Sequence, residues 1–250
     1  MRWFATHSRE GVSVRDISDE MIGFSLSGPK SRELLARATH QDVSNEALPF
    51  MGAATLDVGL VRAKVARLSV TGELGYEINC HALEHARLRR TLLEAGRDLG
   101  VKEYGYNALL SLRLEKSFGI WSAEFTQDRT PRMTGMDRWI AWDKGDFLGR
   151  KAALAESKGP PEHELVTLEI DAVDADATGY EPVWRSGAMV GFVTSGGYGH
   201  TIGKSLAMAL IAPEAAAIGA DLSVHIVGAE RRARVIAPSP YDAAGKAMRA

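Results

Sequence analysis

One cysteine, Cys80, stands in this chain of 250 residues. A lone cysteine excludes an intrachain disulfide and a thiolate metal cluster within one chain, and a reducing cytoplasm is the compartment that this usage fits. An excess of charge of one sign is also missing. With 30 basic and 32 acidic residues the formal net charge is −2, so no global field draws nucleic acid or an anionic membrane, although arginine outnumbers lysine and can bind anions locally. No apolar run approaches the roughly 18 residues of a membrane span, and the first ten residues lack the apolar core of a secretory signal. Gly197, Gly199 and Gly203 miss the G-x-G-x-x-G spacing, since the third glycine should fall at Ile202, and no strand-then-helix context surrounds them. A nucleotide-phosphate loop is therefore not expected. Internal repeats and low-complexity tracts are absent too.

What is present is the make-up of a globular protein, 45% hydrophobic and 25% charged, long enough for one large or two modest domains. Met21 to Leu26 is a short apolar run followed by Ser27-Gly28-Pro29 and by Leu34, Leu35 and Ala38 at helical spacing, which predicts a strand entering a helix with Pro29 at its first position. Residues 53–70 read as two strands broken near Gly59, with Val61, Ala63 and Val65 alternating against Arg62, Lys64 and Arg67. A helix is expected over about 82–99 with Leu88, Leu92, Ala95 and Leu99 on one stripe and Gly100 at its end, and a second over about 106–117. This order predicts α+β, with helices on one face of an antiparallel sheet. Pro160-Pro161 cannot continue a helix at 148–157 and marks the break between an α+β region, 1–157, and a C-terminal domain, 158–250. Alternation at Val166, Leu168 and Ile170, and again at Leu222, Val224 and Ile226, predicts a small antiparallel barrel over 164–237.

Two motifs invite chemistry. His81-Ala82-Leu83-Glu84-His85 matches H-x-x-E-H, a zinc-protease signature, but three fixed positions without a third ligand fit solvated helix-start residues better, and no metal is expected. Cys80 reads as a small buried apolar residue. In the strand Gly75 to Cys80, alternation sends Tyr76, Ile78 and Cys80 to one face and Glu77 and Asn79 to the other. Taken alone, that is a half-buried strand whose polar face meets water.

Thr71-Gly72-Glu73-Leu74-Gly75-Tyr76-Glu77-Ile78 resembles the T-G-E-x-G-[FYW]-E-[IL] signature of the folate-binding aminomethyltransferase superfamily, which includes the T-protein of the glycine cleavage system. It is closer to the form found in dimethylglycine and sarcosine dehydrogenases. The blocks at 26–35, 110–116, 135–150 and 190–207 agree in the same order, and collinearity over nearly the whole chain is more specific than any one motif.

The resemblance implies an aminomethyltransferase folate-binding fold of antiparallel sheets with helices, a C-terminal barrel, and a central channel for tetrahydrofolate. It assigns Glu77 as the acceptor for the pterin, places Ile78 and Asn79 beside it, and sets Tyr198 at the folate border, where a plain turn aromatic is the alternative. Val70 stands where the family commonly has a tyrosine, and Leu109 where the T-protein has a ligand-contacting arginine. Glu73 and Gly75 read as turn-shaping, and Arg113 with Glu115 as an ion pair within the helix. The family's proposed catalytic aspartate lies in an N-terminal part without a counterpart here, so the region is expected to be incomplete there and the catalytic residue is unassigned. Asp16 and Asp19 read as a polar turn.

The expected activity is transfer of a one-carbon unit from an N-methylated amine or glycine-type donor to tetrahydrofolate, giving 5,10-methylenetetrahydrofolate. Oxidation of the donor would fall to a flavoprotein dehydrogenase subunit. The alternative is a non-catalytic folate-binding or assembly module. Within that alternative the iron–sulfur maintenance branch is disfavoured, because Asp146 replaces its signature cysteine.

Overall fold

The computed structural model describes residues 1–250, and the chain forms two compact units. The first comprises Met1–Ser69, Glu73–Glu103 and Lys246–Ala250; the second comprises Val70–Gly72 and Tyr104–Gly245.

In the first unit a short helix α1 (Arg2–His7) precedes β1 (Met21–Ser27), α2 (Ser31–Ala38), β2 (Ala53–Val58), β3 (Val61–Ala66), β4 (Gly75–His81) and α3 (His85–Ala95). The four strands form one antiparallel sheet in the order β1-β4-β3-β2. Period-two alternation gives it one apolar face, where Val61, Ala63 and Val65 lie beside Tyr76, Ile78 and Cys80. Leu34 and Leu35 of α2 and Leu88 and Leu92 of α3 cover that face. Each such leucine contributes about 1.5–3 kcal/mol relative to leaving it exposed.

Two local expectations change. The helix after β1 begins at Ser31 rather than at Pro29, because Gly28 takes the Leu74 carbonyl and Ser31 turns back to the Gly28 carbonyl, placing Pro29 in the turn. The helix expected over 82–99 is three pieces. A 3-10 turn at Ala82–Glu84 leads into α3, and a second at Arg97–Leu99 follows Gly96, whose carbonyl takes the N–H groups of Leu99 and Val101.

Arg67, 1% exposed, ties the C-terminal helical turn Lys246–Arg249 into this unit. It donates to Asn45 Oδ1 (2.5 Å) and to the carbonyls of Leu48 (3.2 Å), Arg249 (3.0 Å) and Ala250 (2.6 Å). Four acceptors compensate a buried guanidinium whose pKa is pushed down by burial and by nearby Arg32.

The second unit contains α4 (Tyr106–Glu115), α5 (Arg150–Glu156) and strands β5 (Glu164–Ile170), β6 (Pro182–Arg185), β7 (Ala188–Gly199), β8 (Lys204–Ile211), β9 (Asp221–Ile226) and β10 (Ala229–Ile236). The strands close into a six-stranded antiparallel barrel, β10-β5-β8-β7-β6-β9, as the alternation predicted. Closure leaves no free edge. Its interior is filled by residues such as Leu168, Val193, Ala209, Val224 and Val235. On the outside, Leu206 and Met208 of β8 pack on Leu114 of α4.

Candidate functional site

In the first unit Glu77 and Asn79 project from the sheet face opposite the helices. Register places Glu77 between Ser25 of β1 and Ala66 of β3, and Asn79 between Gly23 and Lys64. The neighbours of Glu77 are therefore small, and its carboxylate, half-buried at the base of this polar face, makes no hydrogen bond or ion pair. Asn79 lies over Gly23 so closely that a Cβ there would come within 2.2 Å of Asn79 Oδ1. Ile78 points the other way, wholly buried in the core, and fixes the strand from below.

The signature turn is held from both sides. Ser69 Oγ donates to the Glu73 carbonyl (2.5 Å). Gly72, at φ 86°, sits against Lys116, where a Cβ would meet Lys116 Cδ at 2.5 Å. Lys116 is itself buried and donates to the carbonyls of Tyr241 (2.9 Å) and Asp242 (2.6 Å). Val70 is 37% exposed.

Tyr198 is in the second unit, near the end of β7. A bulge at Val193/Ser195 shifts the strand by one residue, so that Tyr198 stands opposite Ser205. Its ring lies edge-on to His200 (5.1 Å between centroids, 77°), and its hydroxyl reaches toward Gly203. The residue is 40% exposed.

Arg113 and Glu115 do not pair with each other. Two residues apart on a helix they face different ways, and each finds a partner elsewhere. Arg113 Nη1 lies 3.4 Å from Glu124 Oε2, while Glu115 Oε1 accepts the N–H groups of Thr201 (2.7 Å) and Ile202 (3.0 Å). Burial pushes the Arg113 pKa down, and Glu124 partly restores it.

Glu124 is the polar residue that sequence reasoning missed. It is wholly buried and accepts from Thr194 Oγ1 and Ser195 Oγ at 2.5 Å each and from the Ile120 N–H at 2.9 Å. Its only sequence signal was a single acid in the apolar stretch from Phe118 to Phe125.

Of the zinc-signature residues, His81 Nδ1 accepts the Leu83 N–H at the start of the 3-10 turn, and His85 stacks on Phe24 at 4.9 Å. Cys80 is buried, and burial followed by nearby Glu84 pushes its thiol pKa up. Asp16 closes a polar turn, accepting from the Ser18 hydroxyl (2.6 Å) and N–H (3.0 Å), and these bonds lower its pKa.

Residues 1–144 match the GCVT N-terminal domain, and residues 163–242 match the glycine cleavage T-protein C-terminal barrel domain. Mitochondrial dimethylglycine dehydrogenase of Rattus norvegicus is 32% identical over 240 residues, covering 94% of this chain and 28% of the relative. The formaldehyde-forming 4-methylaminobutanoate oxidase of Paenarthrobacter nicotinovorans is 35% identical over 241 residues, covering 96% of this chain and 29% of the relative. Aminomethyltransferase of Bacillus licheniformis is 32% identical over 235 residues, covering 94% of this chain and 64% of the relative. The chain thus spans under a third of the first two relatives and less than two thirds of the last. Among solved structures, the glycine cleavage system aminomethyltransferase T from Bartonella henselae superimposes with a TM-score of 0.78 at 25% identity, covering 89% of this chain and 60% of that one. With both domain models matched in order and the same fold in a solved aminomethyltransferase, the chain belongs to the GCVT family, that of the glycine cleavage T-protein.

Proposed function

We propose that this chain binds tetrahydrofolate and serves the transfer of a one-carbon unit to it from an N-methylated amine, with 5,10-methylenetetrahydrofolate as product. The observation that carries this reading is the Glu77 carboxylate, half-buried, flanked by the small residues Ser25 and Ala66, and without a partner of its own. A pterin presents its 2-amino group and N3–H as adjacent donors, and an ionised carboxylate accepts such a pair in fork geometry. A carboxylate already engaged by an arginine would be unsuited to that task. Glu77 fits it.

Asn79 borders the same face and Ile78 holds the strand in register beneath it. The resemblance also assigns Val70, where the family commonly has a tyrosine, and Tyr198 to the folate border; both lie in the second unit and are 37% and 40% exposed. Tetrahydrofolate, when bound, supplies the amine nitrogens that take up the one-carbon unit. Residues 1–157 and 158–250 are the two domains in this proposal.

Two relatives bear names that describe oxidation of N-methylated amines, one of them as formaldehyde-forming. The donor in this proposal is accordingly an N-methylated amine, and its oxidation is the task of a flavoprotein dehydrogenase partner.

Calorimetric titration of tetrahydrofolate into wild type and Glu77→Ala tests the proposal. Wild type is expected to bind, and the variant to bind at least about tenfold more weakly, the range for losing hydrogen bonds to a charged group. Absence of binding by wild type would remove folate from the reading. Equal binding by both would remove Glu77.

A further inference from the structure

The β7–β8 hairpin that carries Tyr198 is tied to α4 at three points, all within the second unit. Ser111 Oγ donates to the Tyr198 carbonyl at 2.6 Å, and Glu115 Oε1 accepts the N–H groups of Thr201 and Ile202 at 2.7 and 3.0 Å. Glu115 is 1% exposed, and its carboxylate has no cation beside it. Burying an unpaired carboxylate is expensive, and such a group persists where fixed N–H donors compensate it.

The hairpin does not need this carboxylate to close. The Gly203 N–H already bonds the Gly199 carbonyl at 2.7 Å, and the β7–β8 ladder pairs residues through Gly199 and Lys204. What the three bonds add is the placement of the hairpin tip on α4. The bulge selects the strand face on which Tyr198 emerges, and α4 then holds the peptide of Tyr198 and the turn beyond it.

We propose that Ser111 and Glu115 are positioning residues for folate binding that act through Tyr198. The inference rests on the reading above, in which the Tyr198 ring borders the folate. Neither side chain has to touch the ligand; together they fix the ring before it arrives, so that ordering it is not charged against binding.

The test is a set of double-mutant cycles on the full chain, with tetrahydrofolate titrated into Glu115→Ala, Glu115→Gln, Ser111→Ala and Tyr198→Ala, and into Glu115→Ala and Ser111→Ala each combined with Tyr198→Ala. Glu115→Ala and Ser111→Ala are each expected to weaken binding about three- to tenfold, the range for one aromatic packing contact. In the Tyr198→Ala background both effects should vanish. Glu115→Gln, whose amide oxygen still accepts both N–H groups, should restore most of the affinity lost in Glu115→Ala. Amide exchange at Thr201 and Ile202 should accelerate in Glu115→Ala and stay slow in Glu115→Gln.

Losses that persist undiminished without Tyr198 would overturn the proposal, as would wild-type affinity in both Glu115→Ala and Ser111→Ala. Should Glu115→Ala fail to fold, the Ser111→Ala cycle decides alone by the same criterion. Unchanged binding by Tyr198→Ala is a separate outcome, which removes Tyr198 from the folate site and this inference with it.

Discussion

Arg113 Nη1 and Glu124 Oε2 lie 3.4 Å apart with side chains only 3% and 0% exposed, and the other oxygen of Glu124 accepts the hydroxyls of Thr194 and Ser195. One carboxylate thereby neutralises a buried guanidinium and holds the two residues at the β7 bulge. Glu124→Ala would strand Arg113 without a counter-charge, and removing one member of a buried pair costs about 3–5 kcal/mol. Glu124→Gln, which keeps an acceptor oxygen, should cost less. Urea unfolding of both variants measures this, and a loss under about 1 kcal/mol in Glu124→Ala would show that the pair is not coupled to folding.

Gly72 in the signature turn takes φ 86°, and Lys116 Cδ would lie 2.5 Å from a Cβ placed there. Gly72→Ala therefore meets backbone strain and a side chain that is anchored at its ammonium end and cannot freely retreat. The expected destabilisation is about 1–3 kcal/mol by denaturant titration. Unchanged stability would mean that the turn tolerates a side chain after all.

Gly23 and Asn79 make a directly testable pair. A Cβ on Gly23 would fall 2.2 Å from Asn79 Oδ1, so Gly23→Ala should displace the asparagine and lower the melting temperature. Asn79→Ala removes the obstacle. Combined with Gly23→Ala it should recover most of the loss, a coupling of about 1–2 kcal/mol. Strictly additive effects would contradict the steric account.

Cys80 predicts a pH dependence. Burial and Glu84 raise its folded-state pKa above the unfolded value, so the folded chain retains the proton after the unfolded chain has lost it. That contribution to stability is fully present below the unfolded thiol's pKa, about 8.5, and declines as pH rises beyond it. Cys80→Ala should show a shallower fall in melting temperature between pH 7.5 and about 9.5 than wild type. In the native protein the thiol should react with a thiol reagent only at the rate of opening, and fast labelling would contradict its burial.

The elements were legible because local pattern dictates them. Alternation at Val61, Ala63 and Val65 and at Tyr76, Ile78 and Cys80 placed those residues inward, and the structure has them in one core. The same alternation put Glu77 on the opposite face. Register then supplied what no single strand states, namely that its lateral neighbours are Ser25 and Ala66, from strands separated from it in the chain.

Local pattern alone could not assign the partners of long polar side chains. Arg113 and Glu115 looked like a pair because they are near in sequence. Their partners lie 11 residues away at Glu124 and 86 and 87 residues away at Thr201 and Ile202. Periodicity sets the direction in which a side chain leaves its strand or helix, so the sequence by itself determined the α+β sheet, the barrel and the side of the sheet from which Glu77 projects. Which buried charge meets which donor depends on where barrel closure brings β7 and β8 against α4, and only the tertiary structure decided that.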